Sequence, residues 1–150
     1  MRSQFRAALL ATVTLLSAFA TTQSDAAEVL ITAEEAQLPP PKGAVGNERR
    51  GVTRGPKVEL VSPTEIQSPS KFQLKFQSFG GATIDLSAVK VVYMRTPNVD
   101  LTSRIKTYLQ PTGVDMADVV LPPGEHMLRV DIKDSDGRAG STSFVLKVAR

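Results

Sequence analysis

From Pro56 onward, apolar and polar residues alternate in short runs, each closed by Pro, Gly, Ser or Asp. Val58 and Leu60 open the first run, which stops at Ser62-Pro63. Phe72, Leu74 and Phe76 share one side of the second, with Lys71, Gln73, Lys75 and Gln77 on the other. The third, 89–94, is partly apolar on both sides, and a short fourth is built around Val119 and Leu121. In the fifth, His126, Leu128, Val130 and Ile132 alternate with Met127, Arg129, Asp131 and Lys133. Phe144, Leu146 and Val148 repeat the pattern in the last. A period of two places one side of each strand in a core and the other in water. Antiparallel strands of this kind stack as two layers, so the pattern predicts an all-β sandwich of about six to seven strands. The last two runs, joined through Asp134-Ser135-Asp136-Gly137, predict a hairpin.

One stretch breaks the rhythm. Leu101, Ile105, Tyr108 and Leu109 recur at helical spacing, Asp100 is placed to cap, and Pro111 and Gly113 follow. The spacing predicts one short helix over 100–109 that crosses between the sheets, with a strand as the alternative.

The first 55 residues read differently. Arg2 and Arg6 precede an uncharged run, residues 7–20, and a short polar stretch leads to Ala26-Ala27. This is the layout of a cleavable export signal, cut after Ala20 or Ala26, so 1–26 is assigned as the leader. The uncharged run is 14 residues long, short of the roughly 20 a spanning helix needs. No stable membrane span is therefore expected once the signal is removed. Thr32-Ala33-Glu34-Glu35 has the form of a capping box, but Pro39-Pro40-Pro41 ends any helix soon after. Residues 27–55 are accordingly expected to be a flexible Pro-rich and basic arm, and 56–150 the folded domain.

Taken together, the opening Pro56-Lys57-Val58-Glu59-Leu60-Val61-Ser62-Pro63, the Leu121-Pro122-Pro123-Gly124 corner and the Asp134-Ser135-Asp136-Gly137 turn resemble bacterial immunoglobulin-like domains, including fibronectin type III. The resemblance implies an immunoglobulin-like antiparallel β-sandwich used for binding or spacing. A narrower likeness is to the periplasmic copper-resistance protein C family, carried by Gly124, Asp136-Gly137, Gly140 and Phe144 in that order. That family binds copper through His and Met. This chain departs from its pattern, with no His near the start of the processed chain and Arg138 after Gly137. The likeness therefore carries the fold and not the metal.

Composition narrows the chemistry. There is no Cys and no Trp, so neither a disulfide nor the Trp-on-disulfide core of antibody domains is available. The chain has 18 basic and 15 acidic residues. A leader containing Arg2, Arg6 and Asp25 removes two of the first and one of the second, and leaves a net charge of +2. Nucleic-acid binding would need a basic stripe, and an export signal argues against it as well. Lys42, Arg49, Arg50, Arg54 and Lys57 do crowd into 16 residues against Glu48 alone. Arg49, Arg50, Arg54 and Lys57 are thus the candidate binding residues, for a protein or an anionic envelope component.

His126 and Met127, with Met94 and Met116, are the residues a soft copper site could draw on. Adjacent strand positions face opposite ways, so His126 and Met127 are not expected to share an ion. His126 instead follows the Pro-Pro-Gly corner, where its polar tip can bond back to the backbone. Asp131, Asp134 and Asp136 before Gly137 suggest a calcium loop, but a loop with Gly137 sixth puts Ile132 first and Ser143 twelfth, both unsuited. A turn is the expected reading. No nucleophile elbow, phosphate loop or flanking carboxylate pair is found, and neither an enzyme nor a cofactor is expected. The expected function is an exported binding or accessory module of the bacterial envelope, with a periplasmic copper carrier as the alternative.

Overall fold

The computed structural model describes residues 27–42 and 55–150. The leader assignment, and Arg49, Arg50 and Arg54, lie outside the described residues. Among the described residues, ten strands form two sheets. They are β1 (Glu28–Val29), β2 (Lys57–Leu60), β3 (Glu65–Ile66), β4 (Ser70–Gln77), β5 (Lys90–Tyr93), β6 (Val99–Asp100), β7 (Leu109–Gln110), β8 (Gly113–Val120), β9 (Gly124–Lys133) and β10 (Ala139–Val148). One sheet runs β1-β8-β4-β2 with β7 also on β8, and the other runs β3-β10-β9-β5-β6. The six strands of four or more residues are those the alternation marks.

The order is that of an immunoglobulin-like sandwich. In that plan strands A, B and E lie side by side, as do G, F and C. Here β2-β4-β8 and β10-β9-β5 take those places. Phe72, Leu74 and Phe76 on β4 meet Leu128, Val130, Ile132 and Leu146 from the opposite sheet in one buried core. The β9–β10 hairpin pairs without a break from Ala139↔Lys133 to Val148↔Gly124.

The departures from expectation are local. The sheets are not wholly antiparallel, because β1 lies parallel to β8 and β3 parallel to β10. β8 starts at Gly113, well before the run around Val119 that the pattern suggests. Its pairing with β4 slips by one residue between Phe72↔Met116 and Ser70↔Val119. The extra residue is a bulge, and it puts Val114 and Met116 out of phase with Val119. At Gly113 a Cβ would run into the Leu74 carbonyl oxygen, so only glycine lets the two backbones close there.

The crossing helix is present as α2 (Thr102–Ile105), continued by a 3-10 turn over Lys106–Tyr108. It links β6 in one sheet to β7 in the other, with Leu101 and Ile105 fully buried. Leu101, not Asp100, is the cap residue; Asp100 acts from one position earlier, where its Oδ1 accepts the Thr102 amide at 2.8 Å.

The larger correction concerns the arm. Residues 27–42 are not a free tail, because Leu30 and Ile31 are 0% and 1% exposed within the core. β4 occupies one side of β8, and β7 and β1 share the other. The N-terminal segment thus completes the sheet where strand D of an immunoglobulin domain would lie. The capping box forms as the sequence suggests and starts α1 (Ala33–Ala36): Thr32 Oγ1 accepts the Glu35 amide, and Glu35 Oε2 accepts the Thr32 amide.

Candidate functional site

His126 is the natural centre of any chemistry, being the only His in the chain. It sits near the start of β9 on the inner face and is 1% exposed. Its Nε2 lies 2.6 Å from the Pro122 carbonyl oxygen in the corner before the strand. A carbonyl only accepts, so Nε2 bears the proton. Nδ1, 2.9 Å from the Tyr93 hydroxyl, is then the acceptor of the neutral ring. Tyr93 Oη in turn accepts from Arg95 Nε at 2.7 Å, and the guanidinium lies 5.0 Å over the Tyr93 ring. The result is a one-way chain of donors, Arg95 to Tyr93 to His126 to Pro122. Burial pushes the imidazole pKa below its usual 6.5; the Pro122 bond opposes this, and the Arg95 charge adds to it.

This arrangement bears on the soft-metal candidates. Both nitrogens of His126 are engaged within the fold. Met127 is the next residue along β9 and faces the other way, half-buried on the outer side. Met94 stands opposite Met127, its amide donating to the Met127 carbonyl, while Met116 is buried in the other sheet. The strand register therefore separates His126 and Met116 from Met94 and Met127.

The Asp-rich turn is a second focus. Asp134 is 2% exposed. Its Oδ1 accepts the amides of Asp136 and Arg138, and its Oδ2 accepts Arg138 Nε at 2.8 Å. Burial works against its charge, but the Arg138 amide and guanidinium together hold the carboxyl below its ordinary range. The same guanidinium binds Asp136 and the Phe79 carbonyl. Asp131 is occupied elsewhere, by Arg129 Nε at 3.0 Å and Ser141 Oγ at 2.6 Å. These acids fasten a turn and a strand pair, and their donors are protein groups. Glu35, which the sequence suggests only as a capping residue, also holds Arg104 through two 2.7 Å contacts.

Of the basic candidates, Lys57 is the one described. It is exposed at the start of β2, with its ammonium 5.4 Å from the centre of the Phe79 ring. Phe79 is one of three large apolar side chains left exposed among the described residues, with Val29 and Val61. Sequence reasoning did not single it out, although the adjacent Gly80-Gly81 turn signals an exposed loop.

No family model matches the chain, and no curated protein does. Among solved structures it is similar to murine CRIg, at 13% identity and a TM-score of 0.36, over 63% of this chain and 96% of that one. A likeness this slight carries no argument, and the architecture rests on the strand pairing given above. No described helix is long and apolar enough to cross a membrane.

Proposed function

We propose that the chain is an exported, non-enzymatic binding or accessory module of the bacterial cell envelope. One observation carries this reading: the polar side chains that chemistry would need are bound into the fold. His126 ties the Tyr93 hydroxyl on β5 to the Pro122 carbonyl in the corner before β9, and Asp134 closes the last hairpin with Arg138. What remains outward is surface. Three of the four sheet edges carry only two-residue strands, and the fourth, β2, carries Lys57 and Glu59. Short, charged edges resist pairing with a partner strand, which favours recognition through side chains on a sheet face. The broadest such face is β5-β9-β10, where the alternation directs Val92, Met127 and Val145 outward beside Arg129, Asp131 and Lys147.

The test is photo-crosslinking in intact cells, with the reactive residue placed in turn at Val92, Met127 and Val145. A discrete adduct from these positions, and none from Lys71 on the other sheet, is the expected result. Folded protein that yields no specific adduct from any of them would refute the assignment.

A further inference from the structure

Two separate clamps hold the N-terminal segment to the sandwich. The first is Arg104 of α2, which binds the Glu35 carboxylate and donates to the Leu30 carbonyl at 2.7 Å, beside the buried Leu30 and Ile31. The second grips the Pro-rich end. Arg95 Nη1 donates to the Leu38 carbonyl at 3.3 Å, the Thr96 amide to Pro39 at 3.0 Å, and Thr96 Oγ1 to Pro40 at 3.1 Å. Arg95 is held over that end by Tyr93 Oη and by the Glu125 carbonyl, and Tyr93 is oriented by His126.

We propose that His126 is a proton-operated latch for residues 38–40: the neutral imidazole keeps Arg95 on the Leu38 carbonyl, and protonation releases that end of the segment. The geometry dictates the sequence of events. A second ring proton puts an N–H on Nδ1, pointing at the Tyr93 hydroxyl, which already directs its own hydrogen there. Tyr93 Oη cannot accept from both Nδ1 and Arg95 Nε without sending its hydrogen into the apolar core. The imidazolium and the guanidinium are also two positive charges joined through one oxygen.

Among the described residues, no counter-charge relieves this. From β10 the residue opposite His126 is Leu146, and from the corner only the Pro122 carbonyl faces the ring. Glu125 pairs outward with Lys147 at 3.6 Å and offers Arg95 just its backbone oxygen. Arg95 is partly exposed, so it is the group that can move. Its departure breaks the Leu38 contact. Arg104 and Glu35 are untouched by this proton, so the segment stays docked at its other end until the pH falls into the carboxylate range. Burial and Arg95 both make the imidazole harder to protonate, as a latch closed at neutral pH requires.

The lone His makes the test direct, because its ring signals in an NMR titration belong to one residue. Protection of the Thr96 amide, corrected for the intrinsic pH dependence of exchange, is followed in the same samples. The expected result is a ring midpoint below 6.5 and a fall in Thr96 protection on the same curve. That fall should reach at least about fivefold, the low end of an ordinary coupling. Amides of Ala36 and of the β9–β10 hairpin should keep their protection. A Tyr93→Phe variant leaves both charged partners but cuts the relay, and should make Thr96 protection independent of His126 titration. Flat Thr96 protection while the ring titrates would overturn the latch. So would its loss in step with the hairpin, or a ring that stays neutral until the whole domain unfolds.

Discussion

Replacing Leu30 and Ile31 by Ala separates a tethered arm from a true strand of the fold. Both side chains are fully buried, among the largest to be so. Truncating either removes its transfer energy and leaves a cavity, at a cost of about 2–5 kcal/mol for each such change. The two costs should not add. Once the segment is weakened past its own docking energy it detaches, and further loss inside it no longer registers in the rest of the domain. Leu30→Ala alone should lower stability by about 2–4 kcal/mol. The double variant should be only slightly worse, settling at the free energy with which residues 28–40 dock. Urea unfolding of the protein, followed by far-ultraviolet circular dichroism, reads this as a lower midpoint. A reduced slope in the double variant would report surface already exposed before the main transition. A thermal midpoint should drop by about 4 °C per kcal/mol for a domain of this size. Unchanged midpoints for both variants would refute the claim that this segment is structural.

Glu35→Gln should cost about 1.5–3 kcal/mol, the range for hydrogen bonds to a charged partner. The Arg104 contact holds the Glu35 carboxyl below its ordinary 4.5. Its stabilisation is therefore complete above that value and fades as the pH falls through the lower folded value, so wild type and variant should converge in acid unfolding curves. Ser62→Ala should cost about 1–3 kcal/mol by stranding the Gln73 amide, which Ser62 Oγ accepts at 2.7 Å while donating to Lys71. Denaturant titration checks this. Gly140→Ala should destabilise by about 1–3 kcal/mol, against the small gain usual for Gly→Ala, because its Cβ would strike the Pro56 carbonyl oxygen. A stabilised variant would mean that the Pro56 carbonyl does not lie against Gly140 of β10.

The sandwich was readable wherever alternation was uninterrupted, as on β4, β9 and β10, because a residue's side of a strand is fixed by parity alone. It failed at β8, where a bulge shifts parity and hides Val114 and Met116. The role of His126 was also partly readable: its bond to Pro122 spans four residues and follows from the corner. Its link to Tyr93 and Arg95 was not, since 33 residues separate the rings and only sheet pairing brings β5 beside β9.

The N-terminal segment marks the limit most clearly. Local chemistry specified its capping box, since Thr32 and Glu35 lie one turn apart and satisfy each other's amides. Val29-Leu30-Ile31 is too short to show a period and stands beside a Pro- and Arg-rich stretch, so composition marks it as a tail. Its burial depends on a vacancy beside β8, on the edge that β7 fills only in part, and that edge exists only after distant parts of the chain have assembled. Parity and turn chemistry are properties of neighbours in sequence, and they set the two-layer plan. Which segment fills an open lane in a sheet is a matter of the space left over, and that was decided in three dimensions.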